Sequence, residues 1–321
     1  MKEASKNTTE NRPHYLLGID GGGTKTVFRL TDTSGKTVST VYKGASNPND
    51  IGMGNAIAVL RDGIAEACGE IPKGQITAFA GIAGGGMSGN NADILRRFFE
   101  EFAFFAFENG SDIENLLALS SEEKRVLVIM GTGFIVYAVN VEERKRISGW
   151  GQLFDEGGSG YTLGRDAIAA VLSAGDGSGK ETLMTALLEA KTGESAEAHL
   201  TEFYRGGKRY IAEFAPLVFR AAEQNDPIAL AILEKNTRFA AEKINAALAF
   251  LSPSDSDEIP VLFAGGISKN SEILFPMIEK HLTHARFRLI LLKDEPITGA
   301  INRAKQIKQR RVESFETCDR R

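Results

Sequence analysis

The chain has 321 residues, which at about 150 per domain points to two domains and to a core that needs neither disulfides nor metals to hold it. Its 38 Lys and Arg against 42 Asp and Glu give a net charge of −4 with no basic face, which argues against nucleic acid as a partner. Cys68 and Cys318 lie far apart without a C-x-x-C neighbour, no run reaches the ~18 apolar residues of a membrane span, and the opening MKEASKNTTENRP has no apolar signal segment, so a reduced, cytoplasmic chain away from membranes is expected.

Residues 1 to 13 are polar and aperiodic and read as a mobile tail. A first lobe, residues 14 to 120, opens with an apolar run from Tyr15 to Ile19 that ends in Asp20. Three glycines and an alternating run from Val27 to Leu30 follow, the pattern of strand, tight turn, strand. Lys36 to Tyr42 reads as a third strand, and Gly54 to Cys68 as a helix with Ile57, Leu60, Ile64 and Ala67 on one face. The strand Ile76 to Ile82, a helix around Ala92 to Glu101, a strand at Phe102 to Phe107 and a helix from Asp112 to about Leu119 complete it. Strands alternating with helices imply a largely parallel sheet. After the polar SSEEKR at residues 120 to 125 the opening pattern recurs as Val126 to Met130, Gly131-Thr132-Gly133 and Phe134 to Val139. This internal repeat predicts two related lobes, each starting with a glycine-turned hairpin, with the ligand cleft between them. The second lobe, residues 121 to 295, reads as mostly helical from Gly158 to Leu251. It returns to strand at Pro260 to Ala264 and Phe287 to Leu292, and a helix over residues 296 to 321 is free to pack back on the first lobe.

Glycine is the outlier of the composition, with 34 residues against a typical usage of ~7%, and three of its clusters carry the chemistry. In Gly18-Ile19-Asp20-Gly21-Gly22-Gly23-Thr24-Lys25-Thr26 the glycines bring backbone N–H groups up to an anion, Thr24 and Thr26 add hydroxyls, and Asp20 at the strand end suits a magnesium ion held through water. Gly131-Thr132-Gly133 is able to grip the same phosphates from the second lobe, although G-T-G is also a common turn. Ala264-Gly265-Gly266-Ile267-Ser268-Lys269-Asn270 follows a buried run and lets a flat ring or phosphate approach the backbone. All three together say more than any one alone.

A fourth block, Gly149-Trp150-Gly151-Gln152-Leu153-Phe154-Asp155-Glu156-Gly157-Gly158-Ser159-Gly160-Tyr161 with Gly164-Arg165, completes a resemblance to the N-acetylglucosamine kinase and BadF/BadG/BcrA/BcrD-type ATPase family of the actin-like ATPase and sugar kinase superfamily, over residues 15 to about 305. The resemblance implies an α/β fold of two actin-like (ribonuclease H-like) lobes and an ATP-dependent kinase acting on N-acetylglucosamine or a related amino sugar at its 6-hydroxyl. It puts the ATP phosphates on Asp20, Gly21, Gly22, Gly23, Thr24, Lys25, Thr26, Gly131, Thr132 and Gly133, and the adenosine on Gly265, Gly266, Ile267 and Asn270. Asp112 becomes the catalytic base, where spacing alone would make it a helix cap; Asn47, Asn49, Thr132, Asp155 and Glu156 become sugar contacts, where Ser46 to Asp50 on its face is turn chemistry. ATP and Mg2+ are the implied cofactors, and a homodimer is compatible with the resemblance. The chain departs from the family's G-D-E-G-S-G in reading Asp155-Glu156-Gly157-Gly158-Ser159-Gly160, which leaves either acid open as the acceptor contact, and it carries Phe134 where a small hydroxyl residue usually follows G-T-G. Other readings are an ATPase that activates a partner enzyme through a cysteine-held cluster, for which Cys68 and Cys318 are poorly placed, and a non-catalytic sugar sensor.

Three features invite other readings. Gly84 to Gly89 matches G-x-G-x-x-G with Glu108 further on, as in a dinucleotide fold, but that reading leaves the other loops unexplained. Ala174 to Glu181 lacks the first glycine of a P-loop and the Ser or Thr after Lys180 and reads as a plain loop, and Phe98 to Phe107 reads as core. His14, His199, His281 and His284 show no metal-ligand spacing, and the last two are expected on a helix surface.

Overall fold

The computed structural model describes residues 14–86, 90–141, 143–252, 254, 257–284 and 286–318, with the side chains of the last helix as far as Ser314. The expected N-terminal tail, Met87 to Gly89 of the dinucleotide-like match, and the Cys318 side chain lie outside the described residues. The chain divides into two compact units, Met1–Ser121 with Lys293–Arg321, and Glu122–Leu292.

In the first unit β1 (Tyr15–Gly21), β2 (Thr26–Asp32) and β3 (Thr37–Lys43) form an antiparallel meander. After the short helix α1 (Pro48–Ile51) and α2 (Met53–Cys68), β4 (Ile76–Ile82) joins β1 in parallel. Beyond α3 (Asn91–Glu100), β5 (Ala106–Gly110) extends the sheet and α4 (Ile113–Leu117) follows, for a strand order β3-β2-β1-β4-β5. β4 is buried at every position because the sheet is covered on both faces, which is why the run reads as continuously apolar. One face packs Leu17, Ile19, Phe28 and Leu30 on Leu60 and Ile64 of α2 and on Phe98 and Phe99 of α3. The other packs Leu16, Val27 and Phe79 on Ile297, Ala300, Ala304 and Ile307 of the C-terminal helix, Pro296–Cys318. That helix lies so close to β1 that a Cβ on Gly18 would stand 3.0 Å from the Ala300 Cβ. Phe98 and Phe99 are core and Phe102, Phe104 and Phe107 pack partly buried against it, but the strand starts at Ala106 instead of Phe102. The chain turns through Ala103 (φ 51°), and the Phe102 ring, 5.2 Å from Phe98, closes the core instead of entering the sheet.

The second unit repeats the scheme. β6 (Lys124–Met130), β7 (Phe134–Asn140) and β8 (Glu143–Ile147) form a meander, followed by α5 (Gly160–Gly175), α6 (Met184–Thr192), α7 (Leu200–Ala212), α8 (Ala215–Ala222) and α9 (Pro227–Leu251). β9 (Ile259–Ala264) pairs in parallel with β6, and after α10 (Ser271–Glu279), β10 (Phe287–Leu291) pairs with β9. The order β8-β7-β6-β9-β10 is that of the first sheet, element for element. β8 has no counterpart in the sequence reading: Glu143-Arg144-Lys145-Arg146 is a charged, largely exposed edge strand, the kind of edge that resists unwanted pairing and carries no apolar pattern to announce itself.

Candidate active site

The turn of the first hairpin is closed by the Gly22 N–H on the Lys25 carbonyl at 2.9 Å, while the carbonyls of Gly21 and Gly22 accept from Ala83 (2.7 Å) and Ser46 (3.0 Å). With those carbonyls tied inward, the N–H groups of Gly23 and Thr24 carry no hydrogen bond among the described residues, the condition for an anion nest. Thr24 and Lys25 are exposed, whereas Thr26 is buried and its hydroxyl donates to the Gly44 carbonyl at 2.8 Å.

At the end of β1 the Asp20 carboxylate accepts from Nδ2 of Asn115 at 2.7 Å, and Asn115, fully buried on α4, also donates to the Gly81 carbonyl. Gly81 has to be glycine, since a Cβ there would lie 2.3 Å from the Asn115 amide oxygen. Asn115 is thus a positioning residue that the sequence reading passed over, although it stands inside the quoted Ser111-Asp112-Ile113-Glu114-Asn115. Burial raises the Asp20 carboxyl above the usual range; Asn115 opposes the rise and the nearby Asp112 charge adds to it. Asp112 stands at the start of α4 but its side chain makes no capping hydrogen bond to the helix; it accepts from the Ser111 hydroxyl at 2.9 Å. Burial raises its carboxyl too, against the Ser111 bond.

Asn47 caps α1, accepting from the Asn49 N–H at 3.0 Å, and Asn49 accepts from Asn91 at 3.1 Å, so both build the turn as their chemistry suggests. The same turn presses on Gly84 (φ 70°), where a Cβ would meet Asn47 at 2.3 Å and Asn49 at 2.6 Å, and one on Gly86 would lie 2.8 Å from the Ser111 nitrogen. The dinucleotide-like glycines therefore serve as close packing that joins the Asn47–Asn49 turn to the Asp112 loop, in a sheet that opens on an antiparallel meander.

In the second unit all three carbonyls of the Gly131-Thr132-Gly133 loop are engaged: that of Gly133 by the Gly131 N–H (2.9 Å), that of Gly131 by Gly160 (2.7 Å) and that of Thr132 by Tyr161 (3.3 Å). The N–H groups of Thr132 and Gly133 carry none among the described residues. Gly265 (φ 99°) turns directly against this loop; a Cβ on it would strike the Met130 carbonyl at 2.4 Å. Ile267 reaches to within 3.4 Å of a Cβ built on Gly160, so residues 131–133, 158–161 and 265–267 meet at one place in the unit. Asn270 donates to the Ile267 carbonyl at 3.1 Å and holds the turn.

Burial separates the two acids that the sequence left side by side. Asp155 is buried and accepts from the Ser148 hydroxyl and from the Gly151 N–H (2.9 Å), which folds the Gly149–Gly151 loop around it. Glu156 is exposed, has no hydrogen-bond partner among the described residues, and lines a groove of about 450 Å³ with Lys235, Arg238 and Phe239 of α9. The departures from the family pattern fit one another: the Phe134 ring lies against Gly158 (φ 76°), where a Cβ would be 2.5 Å from it, and meets Phe239 edge-on at 5.6 Å. Trp150, Leu153 and Phe154 stand exposed on the same block, with the Arg146 guanidinium 4.5 Å over the Trp150 ring.

Cys68 lies in the core of the first unit and burial pushes its thiol up to about 11. Among the described residues no group of three or more His, Cys, Asp and Glu is placed to hold a metal, and no helix is long and apolar enough to cross a membrane.

Two sheets of one strand order, each opening on a glycine-turned hairpin, define an α/β protein of the two-sheet fold found in solved sugar kinases. A crystal structure of a Chromobacterium violaceum protein assigned as an N-acetylglucosamine kinase matches with a TM-score of 0.66 and 26% identity, over 90% of this chain and 98% of that one. The model of the BadF/BadG/BcrA/BcrD ATPase family matches residues 17–301, and the chain belongs to that family. It is 29% identical over 298 residues to the N-acetylmuramic acid/N-acetylglucosamine kinase of Clostridium acetobutylicum, covering 89% of this chain and 97% of the relative. It is 28% identical over 286 residues to the N-acetyl-D-glucosamine kinase of Dictyostelium discoideum, covering 83% and 89%.

Proposed function

We propose that the protein is an ATP-dependent sugar kinase that phosphorylates N-acetylglucosamine or a related amino sugar, and that the 6-hydroxyl is the group attacked. The relatives' activities support the substrate class. The observation that carries the mechanism is Asp112, a half-buried carboxylate that does not cap its helix, accepts from the Ser111 hydroxyl, and is made more basic than usual by its partial burial. A group in that state is suited to take the proton of a hydroxyl as its oxygen bonds to the γ-phosphorus and the bond to the departing ADP breaks. The asparagine turn tied to the Asp112 loop through Gly84 and Gly86 offers amides for sugar hydroxyls and an acetamido group, Asn47 and Asn49 being the contacts. Thr132 and the Asp155-Glu156 pair are the contacts from the second unit, with Glu156 as the acid free to bind and Asp155 as the one that shapes its loop.

The phosphates fall to residues 20 to 26 and 131 to 133, whose free N–H groups suit them, and the adenosine to Gly265, Gly266, Ile267 and Asn270. Asp20 fits a magnesium ion: its charge is disfavoured by burial and by the nearby Asp112, and Asn115 fixes its orientation, which matches an ion carried mainly by phosphate and water. When bound, that ion neutralises charge on the β- and γ-phosphates.

The test is ADP release from magnesium-ATP against a panel of amino sugars and neutral hexoses, with a no-sugar control. Release that depends on one N-acetylated amino sugar, with phosphate found on its 6-oxygen, is expected. Release independent of sugar, or tight sugar binding without turnover, overturns the assignment in favour of a partner-activating ATPase or a sensor.

A further inference from the structure

The second glycine loop presents bare N–H groups but sits at a helix end that has nothing left to give an anion: the first N–H groups of α5, those of Gly160 and Tyr161, are spent on the loop's own carbonyls. A positive charge reaches the loop from elsewhere. Helix α7 is broken at Gly207 (φ 61°, ψ −157°), a backbone conformation that side-chain-bearing residues rarely adopt, and at Gly206 a Cβ would run into Tyr210 at 2.4 Å. Two adjacent glycines inside an otherwise apolar-periodic helix thus permit one sharp kink, and the next residue is Lys208. Its Nζ stands 3.4 Å from a Cβ built on Gly133. Together they line a small cavity of about 70 Å³ with Phe134, Gly149, Gly151, Gln152, Asp155 and Ser159.

Lys208 is half-buried and makes no ion pair among the described residues, whereas Arg205 on the same helix pairs with Glu202 at 2.8 Å. The one carboxylate in the cavity, Asp155, is already taken by Ser148 and Gly151. An ammonium partly withdrawn from water with no counter-charge costs stability unless an anion comes to it.

We propose that Lys208 binds a phosphate of the nucleoside triphosphate at the Gly131–Gly133 loop and is the cation of that half of the site. The loop's N–H groups fix the phosphate oxygens in direction, and Lys208 adds a point charge and a charge-assisted hydrogen bond. The inference rests on the ATP-dependent reading given above.

Calorimetric titration of the full chain with magnesium-ATP and, separately, with adenosine tests it. Lys208→Met is expected to weaken magnesium-ATP at least tenfold, leave adenosine within twofold and flatten the salt dependence of ATP binding. Lys208→Arg is expected to recover most of the loss. Arg209→Met, which removes an exposed charge next along the helix, is expected to change neither ligand. ATP binding by Lys208→Met within twofold of the natural chain overturns the proposal, as does an equal loss for adenosine, the mark of a purely structural role. If the natural chain binds magnesium-ATP no better than adenosine, the ATP-dependent reading falls and this inference with it, a result distinct from the first two.

Discussion

The two sheets share a strand order and differ in what they place at the turn of the first hairpin. In the first unit the residue before the glycines is Asp20, oriented by Asn115 and close to Asp112; in the second it is Met130, 1% exposed and part of the core. Conversely, the second turn has Lys208 over it, delivered by the Gly206-Gly207 kink. The repeated scaffold makes the same backbone feature twice, a glycine turn with its carbonyls tied down and N–H groups left free, and that is all that repetition requires. The side chains then differ: the first turn carries Asp20 and the exposed Lys25, the second Met130 with Lys208 beside it.

This contrast is broken most directly at Asp112. Asp112→Asn keeps the shape and removes the basic oxygen, so kcat is expected to fall about 10²- to 10⁴-fold with magnesium-ATP affinity within twofold. A fall in ATP affinity with kcat preserved would move Asp112 to the nucleotide and dissolve the contrast between the turns. Within the second unit the two acids sharpen it. Asp155→Ala strips two hydrogen bonds from a buried carboxylate and leaves Ser148 unpaired, a loss of roughly 3 kcal/mol. Calorimetry should show Tm lower by about 6–12 °C for a unit of this size. Glu156→Gln should leave Tm unmoved and raise the sugar KM about tenfold. The reverse pattern would make Asp155 the acceptor contact.

What the sequence discloses follows from how each feature is made. Buried central strands such as β4 and glycine turns with bracketing apolar runs are local patterns, and the repeat of Tyr15 to Leu30 at Val126 to Val139 announces the shared sheet order before any coordinate. β8 stayed hidden because an edge strand of four charged residues buries almost nothing, and β5 was displaced because Phe102 and Phe104 serve the core from a turn. His281, expected on a helix surface, lies in the turn after α10 and bonds Glu234 at 2.7 Å. Asp155 and Glu156 are adjacent and alike in sequence, and only burial tells them apart. Asn115 and Lys208 were missed for a common reason: each matters through a partner distant in the chain, Asp20 for one and Gly133 for the other. The one local trace was the Gly-Gly pair before Lys208, a costly dipeptide inside a helix.

The smallest expected effect separates the units by acid sensitivity. His14 in the first unit bonds the buried Thr77 hydroxyl at 2.9 Å and meets the Phe105 ring edge-on at 4.9 Å. Burial, with Lys308 nearby, holds its imidazole down from 6.5 to about 4. The unfolded chain therefore binds this proton more readily than the folded one, so the contribution is whole above pH ~6.5 and is lost as pH falls toward 4. In the second unit Lys124 holds the Asp257 carboxyl down to about 2, a contribution present above the ordinary 3.8 and lost only below it. Between pH 6.5 and 4 the first unit should loosen while that ion pair keeps its strength. Asp20 and Asp112, held above their ordinary values, take up protons on folding and pull the other way, so the informative quantity is the difference between the natural chain and His14→Gln, in which their share cancels. Hydrogen exchange read by mass spectrometry, corrected for intrinsic rates, should show protection of β1 and β4 falling from pH 7 to 4.5 in the natural chain and falling less in His14→Gln, with β6 and β9 the same in both. An identical fall in the two chains would show that His14 is not the source of the first unit's acid sensitivity.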